Sequence, residues 1–172
     1  MRVFGVLAIL AAAIWLGWPF LPPVVRAPVH VVQLAMMDPP ATLAMPVQGV
    51  QPRQVADTWG APRGSSRRHE GVDIFAARGT PVLSSTEGIV TRVGATPIGG
   101  NVVWVVGPAL QRHYYAHLED HADISVGDRV FPGSVLGSVG DSGNARGTPP
   151  HLHYGVYARG GAFNPHPLLS AP

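Results

Sequence analysis

The chain of 172 residues contains no cysteine. That absence excludes disulfide scaffolds, thiol nucleophiles, iron–sulfur clusters and every thiolate zinc site, so any metal must rest on histidine and carboxylate. Lysine is missing too: all twelve basic residues are arginines, spread from Arg2 to Arg159 with only Arg67 and Arg68 adjacent. A net charge of +2 distributed in this way makes no stripe for nucleic acid. Charged residues are only 13% of the chain against 46% apolar ones, which is too hydrophobic for a disordered chain and low in charge for a wholly soluble domain. Some apolar residues are therefore expected to face lipid. The 21 glycines and 18 prolines follow no Gly-X-Y period, so collagen is excluded and a turn-rich fold of short strands is favoured. The length suits one domain with a short appendage.

The one long apolar run is Val3 to Leu21, 19 residues without a charge, with Arg2 before it and the next charge at Arg26. It is long enough to span a bilayer as a helix. A cleaved signal peptide has a shorter apolar region and a small-x-small cleavage site, which Trp18-Pro19-Phe20-Leu21-Pro22-Pro23 does not offer. Residues 1–26 are thus read as an N-terminal transmembrane anchor, with a signal peptide as the alternative. Arg2 and the terminal amine outweigh Arg26, which points the remainder outward, and Trp15 and Trp18 suit an interface. Residues 27–52 hold five prolines and one acid, Asp38, without convincing periodicity, and are read as an extended tether. From Arg53 onward charge returns, and 18 of the 21 glycines follow; residues 53–172 are read as the domain.

Within that domain the candidate strands are short: Thr80 to Ser84, Gly88 to Val93, Asn101 to Val106, Gln111 to Leu118, Ser134 to Val139 and His151 to Ala158. Turn signals such as Gly99-Gly100, Gly107-Pro108 and Asp141-Ser142-Gly143-Asn144 separate them. The spacing predicts a compact all-β domain, an antiparallel sheet or sandwich with long loops.

Histidine carries the functional reading, since six of the eight lie between His69 and His153. In His69-Glu70-Gly71-Val72-Asp73 an imidazole and a carboxylate stand four residues apart around a glycine, and both are good zinc ligands. This is not an H-E-x-x-H helix, so Glu70 is not cast as a base. In His151-Leu152-His153 the strand period sends both imidazoles to one face and Leu152 to the other. In Tyr115-Ala116-His117-Leu118 the same period gives His117 a face with Tyr115 and His113. Three protein ligands and one open position make a catalytic zinc site, whereas four close a structural one. His69, Asp73 and one of the 151/153 pair would supply three and leave two histidines for work on water and substrate.

These segments resemble the lysostaphin/LytM-type zinc endopeptidases of bacterial peptidoglycan. The likeness runs from about Asp57 to Leu169. It includes Trp59-Gly60-x-Pro62-Arg63, His69-x-Gly71-x-Asp73-Ile74, Gly79-Thr80-Pro81-Val82, Tyr115-Ala116-His117-Leu118, Val126-Gly127-Asp128, Gly140-x-Ser142-Gly143, His151-Leu152-His153-Tyr154 and Asn164-Pro165. The resemblance implies one Zn²⁺ on His69, Asp73 and His153, with His117 and His151 as the catalytic pair. Gly155 departs from the pattern, because many relatives carry an acid there, and residues 145–150 resemble an insertion that reshapes the groove. Tyr115 or Tyr154 could add a hydrogen bond, although tyrosine in such strands is more often packing. Arg63, Arg67 and Arg68 flank His69 and could meet substrate carboxylates.

The implied function is a zinc-dependent endopeptidase cutting peptide bonds in peptidoglycan cross-links or stem peptides, anchored in the cytoplasmic membrane with its catalytic domain outside, or secreted if the N-terminal segment is removed. The alternatives are a non-catalytic wall-binding or hydrolase-activator module of the same fold, and a zinc acylamidase or carboxypeptidase with similar ligands.

Overall fold

The computed structural model describes residues 16–64 and 66–170. Most of the expected membrane span lies outside them. Among the described residues no helix is long and apolar enough to cross a membrane.

Among the described residues, a 3-10 turn (Trp18–Phe20) and the helix α1 (Pro23–Ala35) precede thirteen strands. They are β1 (Leu43–Ala44), β2 (Pro62–Arg63), β3 (Arg67–Arg68), β4 (Val72–Phe75), β5 (Pro81–Leu83), β6 (Gly88–Thr96) and β7 (Gly100–Val106). The rest are β8 (Arg112–His121), β9 (Arg129–Val130), β10 (Val135–Val139), β11 (His151–Ala158), β12 (Gly161–Phe163) and β13 (Leu169–Ser170). All six strands expected from sequence form, and the sheet is antiparallel in the order β12-β11-β8-β7-β6-β9. β4 joins the outer edge of β11, and β10 pairs with both β5 and β8. The sheet forks along β8: Arg112 to Ala116 pair with β11, while Leu118 and His121 pair with β10.

The core lies under this fork. Val72 and Ile74 of β4, Leu152 and Tyr154 of β11, and Tyr115 and Leu118 of β8 are all fully buried there with Val82, Leu136 and Val139. Tyr115 and Tyr154 are core residues, as the packing reading had it. Their hydroxyls share the buried Ser85 side chain, and His113 Nδ1 lies 2.8 Å from the Tyr154 hydroxyl. Burial pushes His113 down to about 4, so it sits in the core as a neutral ring.

The stretch expected to be an extended tether is different. Its first part, as far as Ala35, belongs to the helix α1, which begins within the segment read as the anchor and has Pro23 at its first position, where the missing N–H costs nothing, and Pro28 inside it. Its second part packs into the domain: Leu43, Met45 and Val47 alternate into the core. The backbone there runs beside β5, with Leu83 N–H donating to Pro46 O at 2.9 Å and Gln48 N–H to Pro81 O at 3.0 Å. β1 also pairs in parallel with β13, tying this segment to the C-terminal residues. Prolines on either side hid the period-two pattern, but Pro46 needs only its carbonyl at this edge.

The packing sets a stability test. A chain that begins at Arg53 lacks Leu43, Met45 and Val47, and it should unfold at clearly lower urea than one that begins at Asp38. In the longer chain Leu43→Ala should cost about 2–5 kcal/mol. Coincident urea midpoints for the two chains would show that the segment adds nothing to the core.

Candidate functional site

The cleft lies on the outer face of the sheet, above the fork. The β4–β11 register sets His153 opposite Asp73, His151 opposite Phe75, Leu152 opposite Ile74 and Tyr154 opposite Val72. Directly opposed residues share a face. Hence the core pairs point inward while Asp73, His151 and His153 point into the cleft, as the His-x-His spacing predicts. Asp73 lies on a strand rather than in a loop.

His69 arrives from the hairpin β2–β3. Its backbone is stitched to the preceding segment, since Gly60 N–H donates to His69 O and His69 N–H to Ala61 O, each at 2.9 Å. Thr58 then holds both neighbours of the site. Its carbonyl accepts from His69 Nδ1 at 2.7 Å and its hydroxyl accepts from the Asp73 backbone N–H at 3.0 Å. A carbonyl can only accept, so Nδ1 carries the ring proton and Nε2 presents its lone pair.

Three side-chain atoms converge on one point. His69 Nε2 lies 2.8 Å from His153 Nδ1 and 3.0 Å from Asp73 Oδ1, and His153 Nδ1 lies 3.2 Å from Asp73 Oδ1. Electron-rich atoms crowded this closely repel unless a cation or proton lies among them. Their separations approach the edge of roughly 3.3 Å in a tetrahedron with 2.0–2.1 Å bonds. The three residues are a group that could hold a metal ion. The second carboxylate oxygen of Asp73 is bonded by Arg63 Nη2, which leaves Oδ1 as the oxygen turned to the histidines. Burial works against the Asp73 charge, but the His153 and His69 rings facing it outweigh that and hold the carboxyl well below the usual carboxylate range.

Gly71 is explained by space more than by turning. A β-carbon there would fall 2.6 Å from Tyr154 O and 2.7 Å from His153 Cε1, so the His153 ring fits only against a glycine. Gly155, the departure from the family pattern, is similarly close-packed, with a β-carbon falling 2.9 Å from the Glu70 carbonyl oxygen.

His117 reaches the cleft by a route that alternation misses. Between the pairs Asn101–Leu118 and Val103–Tyr115 the β8 strand carries one more residue than β7, and His117 takes a φ of 63° in that bulge. The extra residue turns Ala116 and His117 both to the cleft, while Tyr115 and Leu118 stay in the core. His117 therefore does not share a face with Tyr115 and His113, contrary to the period-two expectation, because the fork requires the strand to change partners there.

His117 Nδ1 donates to Ser142 O at 2.9 Å and His151 Nδ1 to Pro149 O at 2.8 Å. Each ring is thus held with its Nε2 free of backbone partners. The two rings stand 5.1 Å apart, and His117 is 5.9 Å from the His153 ring. Burial, more than the neighbouring His153 and His151, pushes His117 down to about 4 against the Ser142 bond, so it is neutral through the neutral range. Ser142 is itself anchored by its hydroxyl, which donates to Leu118 O at 2.7 Å and accepts from Asn101 N–H at 2.9 Å. Residues 145–150, expected to reshape the groove, supply the carbonyl that orients His151.

The cleft has a volume of about 770 Å³. Its walls include Tyr114 and Tyr157, which sequence reasoning did not single out, in place of Tyr115 and Tyr154. Burial raises both phenols, that of Tyr157 to about 12. Continuing the alternation from His153 would have found Tyr157; Tyr114 depends on the bulge. Arg67 and Arg68 lie on the rim with Arg63, but Arg63 is occupied by Asp73.

Comparison with known proteins agrees with this geometry. Residues 67–165 match the model of peptidase family M23, and the chain belongs to that family. It is 44% identical over 126 residues to an L-Ala–D-Glu endopeptidase of Bacillus subtilis, covering 66% of this chain and 39% of that protein. It is 34% identical over 117 residues to a DD-carboxypeptidase/endopeptidase of Neisseria meningitidis, covering 68% of this chain and 25% of that one. The lysostaphin catalytic domain of Staphylococcus simulans superposes with a TM-score of 0.59 at 30% identity, covering 66% of this chain and 89% of the domain. The chain thus spans less than half the length of those two curated relatives.

The close packing of Gly71 against His153 makes a direct test. Gly71→Ala should displace the His153 ring and lower bound metal well below the value of about one ion per chain expected for a three-ligand site. The far-ultraviolet circular dichroism spectrum should persist. Elemental analysis showing full metal content would contradict the crowding argument.

Proposed function

We propose that the protein is a zinc-dependent endopeptidase that hydrolyses peptide bonds in peptidoglycan cross-links or stem peptides. The observation that carries this reading is the convergence of His69, Asp73 and His153 on one point beside two further imidazoles, in a chain of peptidase family M23. The donor set, two nitrogens and a carboxylate oxygen without sulfur, suits Zn²⁺. A zinc ion on these three residues supplies, when bound, a Lewis acid that acidifies a water and polarises a peptide carbonyl.

His117 and His151 do the proton work. Their Nδ1 protons are committed to the Ser142 and Pro149 carbonyls, so each ring exchanges protons with the cleft through Nε2 alone. One Nε2 accepts the proton of the attacking water and, as an imidazolium, returns it to the leaving amine. The other, when protonated, donates a hydrogen bond to the oxygen that gains charge. Arg67 and Arg68 give the rim a positive character that suits the carboxylates of stem peptides. The uncharged run from Val3 to Leu21 supports a location in the cytoplasmic membrane with the domain outside it.

Incubation of the full chain with purified peptidoglycan tests the reading through the chain ends that result. Internal cleavage should create paired new amino and carboxyl ends within the peptides. Release of terminal residues alone would make it a carboxypeptidase, and no cleavage would favour an activator module. His117→Ala and His151→Ala should each retain the metal yet lose roughly 10²–10⁴-fold in hydrolysis. Asp73→Ala should lose the metal itself. Wild-type rates in both histidine variants would overturn the proton-transfer roles.

A further inference from the structure

Helix α1 presents its apolar side the wrong way for a helix of a soluble domain. Val25, Val29, Val32 and Met36 are 51%, 44%, 60% and 85% exposed, and at 100° per residue they fall within an arc of about 60°. Neither a charged nor a hydrogen-bonding side chain interrupts this stripe. The opposite side carries Ala27, Val31 and the buried Leu34 toward the domain, and the polar residues Arg26 and His30 are half-buried beside it. A surface helix ordinarily solvates its polar arc and hides its apolar one. Here an apolar arc remains uncovered.

The same side of the molecule carries more of this character. Leu16, Phe20 and Leu21 lead into α1 and are exposed. Across from α1, the segment from Ile124 to Val135 exposes Val126, Phe131 and Val135. Between them lies a groove of about 560 Å³ lined by Trp18, Arg26, His30, Asp128, Arg129 and Val135. Arg26 Nε is buried there with no hydrogen-bond partner among the described residues.

We propose that the outward face of α1 lies in the interface of a lipid bilayer, with Arg26 at its flank beside the anionic headgroups, while Arg129 across the groove is paired with Glu87 at 3.3 Å. This rests on the membrane location proposed above. The occupant is indicated by chain continuity: the uncharged run from Val3 ends at Leu21, one residue before Pro22-Pro23 opens the helix. A helix entered directly from an apolar segment, with a charge-free stripe outward and the Arg26 guanidinium at its flank, has the pattern of an interfacial helix. Such a seat makes the helix a platform for the domain rather than a slack tether, so the cleft works at a limited distance from the membrane surface.

Because the chain has no cysteine, single-cysteine labelling is clean. Val29→Cys, Val32→Cys and Met36→Cys in the full chain would carry an environment-sensitive fluorophore, with Arg159→Cys, on the exposed turn after β11 at the other edge of the sheet, as the control. Each is reconstituted in vesicles of phosphatidylethanolamine and phosphatidylglycerol, with or without lipids bearing a shallow spin-label quencher. The three helix labels should shift to shorter wavelength and be quenched at least about twofold more than the Arg159 label, as expected for a stripe at the acyl boundary. If the chain floats with the vesicles but its helix labels behave like the control, the platform is wrong while the anchor stands. Failure to float removes the anchor and the platform together. A blue shift without lipid quenching means that protein covers the stripe, which also overturns the proposal.

Discussion

The site depends on one pairing, that of β11 between β4 and β8. Two residues of β11 pair with both neighbours: His153, opposite Asp73 on one side and Ala116 on the other, and Tyr154, opposite Val72 and Tyr115. Sliding β4 by a single residue would send Asp73 into the core and expose Val72 and Ile74, exchanging a carboxylate for buried apolar surface. Such a slip is costly in both directions, since an ionised carboxylate without partners is strongly disfavoured in a core. The hydrophobic core beneath the sheet therefore holds the geometry of the three candidate metal ligands above it.

Around that pairing the protein places its histidines with backbone carbonyls. The carbonyls of Thr58, Ser142 and Pro149 each accept a hydrogen bond from an Nδ1–H, of His69, His117 and His151 respectively. This single device fixes ring orientation and tautomer together and leaves three Nε2 atoms for chemistry. His153 is held otherwise: its Nδ1 faces Asp73 and His69, and Gly71 makes room for its far edge. The four rings thus carry different nitrogens into the cleft, a distinction that follows from which carbonyl lies behind each ring.

The fork in β8 gives the cleft its fourth histidine. A strand that leaves β11 for β10 must shift register, and the extra residue of the bulge absorbs the shift. Placing His117 in a left-handed conformation at that point has a local cost for a residue with a β-carbon. The bond from its backbone N–H to Gly99 O at 2.7 Å and from its ring to Ser142 O at 2.9 Å offset it. The Gly140–His151 bridge closes the same fork from the other side, so catalytic candidates from distant segments share one rigid corner.

Much of this was legible in the chain itself. The period-two alternation of His151-Leu152-His153, the turn signals between short strands and the His69–Asp73 spacing follow from local chemistry, and each survived folding because strand geometry is local. The absence of cysteine alone confined metal ligation to imidazole and carboxylate. Tertiary structure decided what alternation could not carry: that a bulge turns His117 away from the face of Tyr115, that Tyr114 and Tyr157 rather than Tyr115 and Tyr154 wall the cleft, and that Leu43, Met45 and Val47 belong to the core. It also decided which nitrogen of each ring faces the cleft. In every such case the deciding contact joins segments far apart in sequence, where pairing register and packing, rather than local propensity, set the outcome.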